Sequence, residues 1–356
     1  MQLTRRAVLG TLGAIGVGGL AGCSDGSGGT GATESDTPTG DGPPLAAESL
    51  YLGTDLETLI ENITSGGVPK DGIPSIDDPQ FQSAGEADLA DGDPVFGVVR
   101  NGEAKAYPQY ILVHHEIVND AVGGDPVAVT YCPLTGTVQG FERGDVEFGV
   151  SGRLVNSNLT MYDRSTDSWW PQVAATAIQG PLQGETLREF RVTWTTWGQW
   201  REVHPDTKIL TEDTGAARRY GDDPYGEYNP PGGYYASDRT LFEPVVSDDR
   251  AHPKRVVIGT RTSQGALTFD KRTLLDERVL TGSIQETPYV AVADPALSTG
   301  YVYANPEDRP VEAVDGGYRI DGETHAADSL PLSRSLSFDG MWFAWAGFYP
   351  EVPYVR

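Results

Sequence analysis

The chain has 356 residues, with 26 basic and 51 acidic side chains for a formal net charge of −25, two cysteines, 44 glycines and 25 prolines. That length buries one large or two ordinary domains, while 38% hydrophobic content is too high for a disordered chain and low for a membrane protein. Two cysteines exclude a disulfide scaffold and any multi-cysteine zinc or iron–sulfur site, and the acidic balance argues against nucleic acid and anionic lipid headgroups as partners. The acids, 30 Asp and 21 Glu against 5 Lys and 21 Arg, are spread along the whole chain. Such a surface repels itself at low salt and is screened by concentrated counterions, so it reads as a halophile's protein that loses stability when salt is removed.

Residues 1–23 read as an address. Arg5-Arg6 precede a Gly/Ala/Leu/Val run that ends at Leu20, and Leu20-Ala21-Gly22-Cys23 follows. Paired arginines before a short apolar stretch match a twin-arginine export signal, and the run is too short and glycine-rich to span a bilayer. Leu-Ala-Gly-Cys resembles a lipobox, which makes Cys23 the lipid-bearing first residue of the mature chain. Residues 24–45 are Ser, Gly, Thr, Asp and Pro with few apolar side chains, the composition of a flexible tether. The expected location is extracytoplasmic, on the outer face of the cytoplasmic membrane, with the export machinery and the membrane as partners.

The folded part reads as α+β and predominantly β, with short antiparallel strands and a few helices. Glu48 to Ile63 carries Leu52, Leu56, Leu59, Ile60 and Ile63 at helical spacing, and Thr195 to Val203 carries Trp197 and Trp200 three apart. Leu241–Val246, Val256–Ile258, Tyr289–Val292 and Tyr301–Tyr303 read as strands between frequent Gly/Asp/Asn/Pro turns. A degenerate internal duplication is expected. Pro126 to Gly136 resembles Pro288 to Gly300, and Val95–Tyr107 resembles Val257–Phe269, at an offset near 162. Trp197-Gly-Gln-Trp200 resembles Trp342-Phe-Ala-Trp345 at offset 145, the second copy lacking most of the block from Ser151 to Gln172. The expected lobes are residues 46–240, carrying the site, and 241–356.

The block from Tyr107 to Gln172 concentrates unusual polar residues. Two apolar runs around Gly123-Gly124 read as an antiparallel hairpin; centring its turn on Val122 sets His114 opposite Thr130 and Glu116 opposite Ala128. Cys132 then shares a face with His114, while His115 and Tyr131 point to the other. On this register His114, Glu116 and Cys132 are the candidate metal-ligand trio, and a helix starting at Pro108 would defeat it. Further on, Asn156, Tyr162, Asp163, Arg164 and Trp169, with Tyr131, mix polar groups with aromatics in the manner of a pocket lining. Two glycosylation sequons occur, at Asn62 and Asn158; the second falls inside the expected pocket and is expected to stay unmodified.

The run from Tyr107-Pro108 through His114-His115-Glu116, Thr130-Tyr131-Cys132-Pro133-Leu134, Asn156, Met161-Tyr162-Asp163-Arg164 and Trp169-Trp170-Pro171-Gln172 resembles the domain-of-unknown-function 3179 family. Trp200–Pro205, Tyr220-Gly221-Asp222-Asp223-Pro224-Tyr225 and Phe343-Ala344-Trp345 extend that resemblance over most of residues 90–350. The resemblance implies no activity. Members often carry a second cysteine where this chain has Thr135, so a Cys-X-X-Cys disulfide or dithiol clip is impossible here.

Three functions remain. The most general is a surface lipoprotein that binds a small ligand or an envelope protein through a polar and aromatic pocket around Cys132, with the tyrosine-rich segment from Tyr220 to Tyr235 suited to contact. A second is a metal or redox site, in which thiolate and imidazole suit copper or zinc and Met161 is a weak axial ligand. The third is an enzyme with Cys132 as nucleophile and His114 as base; Pro133 after the cysteine supplies no N–H for an oxyanion, and no known catalytic motif is present.

Overall fold

The computed structural model describes residues 41–221 and 223–356. Arg5, Arg6, Cys23 and the tether up to residue 40 lie outside the described residues. The first helix, α1 (Leu56–Glu61), is far shorter than the apolar spacing from Glu48 predicts. Asp55 caps it, accepting from Thr58 N at 2.9 Å. Ahead of it the chain is pinned to a distant element: Thr54 Oγ1 donates to Gly347 O at 3.0 Å. Gly53 lies so close to Tyr349 that a Cβ would stand 2.6 Å from its Cα. Tertiary contact, not helical propensity, fixes residues 48–54.

After two short strands, β1 (Thr64–Ser65) and β2 (Phe81–Ser83), the main architecture begins. Strands β3 (Pro94–Arg100) and β4 (Glu103–Pro108) form a hairpin, followed by the single turn α2 (Gln109–Leu112). Next comes the meander β5 (Ile117–Val122), β6 (Asp125–Cys132) and β7 (Thr137–Glu142). An inserted sheet holds β8 (Phe148–Val155), β9 (Asn158–Asp163) and β10 (Trp169–Pro171). The chain returns through β11 (Glu189–Phe190), β12 (Thr193–Thr196), α3 (Trp197–Val203) and β13 (Lys208–Leu210). Among the described residues of 211–255 there is no strand or helix.

The second half follows the same plan. A hairpin of β14 (Val256–Thr262) and β15 (Gly265–Asp270) leads into α4 (Lys271–Glu277). The meander is β16 (Val279–Ile284), β17 (Thr287–Asp294) and β18 (Thr299–Ala304). A small insert, β19 (Glu312–Val314), β20 (Gly317–Ile320) and β21 (Glu323–His325), replaces the larger one. The chain closes through β22 (Ser333–Ser335), β23 (Ser337–Met341), α5 (Trp342–Phe348) and β24 (Tyr354–Val355).

The sheets correspond strand for strand. Order β12-β3-β4-β13 matches β23-β14-β15-β24, and β11-β7-β6-β5 matches β22-β18-β17-β16. In both halves the last strand pairs parallel to the second strand of the hairpin. The pairing also agrees residue for residue. Val98↔Lys105 corresponds to Thr260↔Leu267, and Ile117↔Thr130 to Val279↔Val292, at an offset of 162. Glu189↔Phe141 corresponds to Arg334↔Tyr303, the returning strand being offset by 145. In each half a hairpin glycine faces a tryptophan from the returning helix: a Cβ on Gly97 would lie 2.1 Å from Trp200, and one on Gly259 2.2 Å from Trp345. Only hydrogen fits there.

Two sequence expectations are corrected by these registers. Leu241–Val246 is not a strand; Val245 N is taken by Asn156 Oδ1 at 2.9 Å, and Phe242 O accepts from Ser157 Oγ at 3.3 Å. The β5–β6 turn is the two residues Gly123-Gly124, with Val122↔Asp125 and Ile117↔Thr130 paired, not a longer turn centred on Val122. Both glycines have positive φ, as a tight two-residue hairpin requires. The strand therefore starts at Ile117, and His114 never lies opposite Thr130.

The described residues lie within one compact unit. Buried polar ties join its halves, among them Arg261 Nη2 to Glu189 Oε1 at 2.8 Å and Arg191, which donates to Ser337 O, Ser337 Oγ, Thr299 Oγ1 and Gly300 O. Among the described residues no helix is long and apolar enough to cross a membrane.

Candidate functional site

The residues after Pro108 form a helical turn, and the chain escapes it at Glu116, whose N–H donates to Leu112 O at 2.7 Å with φ at 60°. His114 and His115 thus sit on a turn rather than a strand, which separates them from the face that carries Cys132. His115 is fully buried. Its Nδ1 lies 2.7 Å from Pro74 O, which can only accept, so Nδ1 carries the hydrogen and Nε2 accepts from Tyr220 O–H at 2.7 Å. Burial lowers its pKa. The His114 ring meets Tyr220 edge-on, with centroids 5.7 Å apart.

Glu116 is only 6% exposed. Burial alone pushes its carboxyl up to about 8, and among the described residues nothing donates a hydrogen bond to it. Its charge acts on Cys132 and Tyr225. Cys132 is buried, accepts from Leu159 N at 3.3 Å and donates toward Ser157 O at 3.7 Å. Burial, with Glu116 adding to it, pushes this thiol up to about 11. A neutral thiol in that setting is a small core side chain rather than a nucleophile.

The tyrosine segment closes over this corner. Tyr234 O–H donates to Leu134 O at 2.6 Å, and Tyr235 O–H and Gln109 Nε2 both donate to Asp223 Oδ2. Lys254 Nζ donates to Tyr234 O, Ser237 O and Arg239 O at 2.8–3.1 Å and stands 3.4 Å from the Tyr234 ring centroid. Burial brings this ammonium down to about 8.

The remaining polar motif residues are spent inside the protein. Thr135 and Thr137 share a 2.8 Å hydrogen bond, Asn158 Nδ2 donates to both and to Gln172 Oε1, and Gln172 Nε2 donates to Thr130 Oγ1. Asn158 is completely buried, so its sequon offers no surface to a glycan. Thr135 is a member of this closed network. Asn156 and Ser157, at φ 52° and 62°, form the two-residue turn between β8 and β9, and Asn156 Nδ2 donates to Ala344 O at 3.0 Å.

Nor do the other expected lining residues converge. Tyr131 lies in the first-half core against Phe96 and Trp194. Asp163 is fully buried and accepts from Thr166 N, Thr166 Oγ1 and Trp170 Nε1. Arg164 turns the opposite way, to Asp77 and Glu147 on the surface. Tyr162 O–H donates to Asp71 at 2.6 Å, and Trp169 is half-buried opposite it across the strands. Met161 is buried in the same cluster as Cys132. Among the described residues no group of three or more His, Cys, Asp or Glu side chains is arranged to hold a metal ion, so the His114, Glu116 and Cys132 trio is not assembled.

An open cleft lies elsewhere, between the halves. It encloses about 820 Å³ and is lined by β3, β11 and α3 on one side and by β18, the insert and β22 on the other. Val99 and Val203 face it 50% and 42% exposed, two of the four large hydrophobics that stand exposed among the described residues. Opposite them Tyr301 lies between two guanidinium groups, Arg191 at 4.7 Å and Arg334 at 4.4 Å from its ring centroid. No local pattern marks this cleft, because its walls come from segments more than a hundred residues apart. One signal existed: Glu189-Phe190-Arg191 and Arg334-Ser335-Leu336 occupy matching positions in the two halves, and both triplets border the gap.

Against known proteins, a family model described as a protein of unknown function, DUF3179, matches residues 70–352. No curated protein and no solved structure matches the chain.

Proposed function

The chain belongs to the DUF3179 family, whose function is unknown, and from that premise we propose that it is an exported, lipid-anchored binding protein whose ligand sits in the cleft between its halves. The observation that carries this reading is the cleft itself: about 820 Å³, open, and walled by both halves, the size and position in which ligand sites occur. The rest of the reading comes from the sequence. Arg5-Arg6 and Leu20-Ala21-Gly22-Cys23 support twin-arginine export and a lipid on Cys23, which places the folded part on the outer face of the cytoplasmic membrane. The charge of −25 supports life in concentrated salt. The matching strand order and register support descent of the halves from one duplicated unit.

Filling the cleft tests the proposal. The protein purified from an exporting salt-loving host carries a bound small molecule detectable by mass spectrometry under non-denaturing conditions, and Val203→Trp loses it. A wild-type protein with no adduct, or a variant that keeps the same adduct, overturns the reading. A second reading is thiol-dependent chemistry at Cys132, against which the buried Glu116 carboxyl works by pushing the thiol's pKa further up. Its test is modification of Cys132 by a small disulfide reagent at neutral pH in the folded protein, which a core thiol resists.

A further inference from the structure

The cleft also carries information about what it would hold. Its walls differ in chemistry. On the β3/α3 side, Val99 and Val203 present aliphatic surface to water at 50% and 42% exposure. Exposed valines at a concave site are stabilised by an apolar occupant.

The charges around the cleft differ in what is left to them. Arg191 donates four hydrogen bonds into the second half. Arg100 is engaged by Asp125 at 2.9 Å and by Glu142 at 3.0 Å. Arg334 stacks on Tyr301, and among the described residues its side chain makes no hydrogen bond or ion pair. Its planar fork of donors is therefore open, held flat by the ring beneath it. The wall acids are mostly committed as well: Asp125 to Arg100, and Asp294 to Tyr301 O–H at 3.3 Å and Ala296 N at 3.2 Å. Asp328 remains, on the exposed rim.

We propose that the ligand is a small amphipathic organic anion, a carboxylate with an aliphatic or aromatic body, its head on Arg334 and its body against Val99 and Val203. This rests on the cleft being the ligand seat. The salt-rich setting sharpens the choice. At about 1 M salt the screening length is about 3 Å, so attraction from a distance is lost and only contact remains. Chloride competes for a bare cation under those conditions, whereas apolar contact with the valines does not suffer from salt. A simple inorganic anion is thus a poor occupant.

The test uses the purified full-length protein in molar salt with labelled Val and Leu methyl groups, titrated with hexanoate, its neutral isostere hexanamide, and sulfate. Expected is saturable movement of the Val99 and Val203 methyl signals by hexanoate, binding weaker by about tenfold for hexanamide, and no movement with sulfate. Arg334→Gln, at an exposed position, erases the preference for hexanoate while leaving hexanamide binding unchanged. Equal binding of hexanoate and hexanamide at these methyls overturns the anionic class and leaves the cleft reading standing. Movement by sulfate alone overturns the amphipathic requirement. No movement of either valine by any probe up to roughly 50 mM overturns the class and the seat together.

Discussion

The two halves solve one packing problem with opposite chemistry. In the first, Lys105 on β4 reaches Asp120 on β5: Nζ lies 2.9 Å from both carboxyl oxygens and 2.8 Å from Ala121 O, while Tyr107 O–H donates to Asp120 at 2.6 Å. The corresponding positions in the second half are Leu267, Gly282 and Phe269, and a Cβ on Gly282 would already touch Leu267 at 3.0 Å. The same strands at the same register therefore accept either a buried ion pair with its hydrogen bonds or aliphatic and aromatic packing. The backbone plan is set by the hairpins and the Gly–Trp contacts common to both halves, and the polar residues of the first half are additions to it. The corner residue repeats the lesson. Position 116 and its counterpart 278 both have positive φ, 60° and 68°, but Arg278 donates to Val314 O and Gly317 O while, among the described residues, the Glu116 carboxyl has no donor.

The largest effect should come from breaking the ion pair on one side only. Asp120→Ala strands Lys105 in the core and lowers stability by about 3–5 kcal/mol, whereas Lys105→Leu, Tyr107→Phe and Asp120→Gly combined, which copies the second half, stays within about 1 kcal/mol of the wild type. Denaturant unfolding measures both, and a combined variant as unstable as the single one would break the equivalence.

The next effect depends on pH. The Glu116 carboxyl is held above its ordinary value, up to about 8, so the folded protein keeps a proton that the unfolded chain releases. Stability present below about 4.5 is therefore lost as the pH rises through about 8, by up to roughly 5 kcal/mol in total. Glu116→Gln removes that slope and is the more stable protein at pH 9. Parallel stability curves for the two proteins would show that the carboxyl is solvated.

Gly97→Ala and Gly259→Ala each place a methyl within 2.1–2.2 Å of a tryptophan ring, and each should cost about 2–3 kcal/mol, by similar amounts in the two halves. The smallest effect separates those tryptophans. Trp200 Nε1 donates to Thr207 Oγ1 at 2.9 Å, but the buried Trp345 Nε1 has no hydrogen-bond partner among the described residues. Trp200→Phe should thus cost about 1 kcal/mol more than Trp345→Phe.

Much of this plan was written in the chain. The offsets of 162 and 145, the predominance of strands and the paired tryptophans could be read directly. The hairpin register was misread although Gly123-Gly124 marks a two-residue turn, because the alternation was carried back through His114 into a segment that Pro108 starts as a helical turn. The pocket lining was misread for a different reason. Asn156, Asn158, Asp163 and Gln172 look the same in sequence whether they serve a ligand or each other, and only their partners decide. All four turn out to be hydrogen-bonded inside the protein. Apart from the matching triplets that border it, the cleft left no trace in the sequence, because Val99, Val203, Tyr301 and Arg334 share no local pattern and meet only when the halves pack.

The central claim is that the ligand belongs to the gap between the halves and not to the buried corner around Cys132. Ligand retention, followed by mass spectrometry under non-denaturing conditions, tests it with two variants side by side. Cys132→Ser should keep the bound molecule and Val203→Trp should lose it; loss on Cys132→Ser with retention on Val203→Trp would contradict the account.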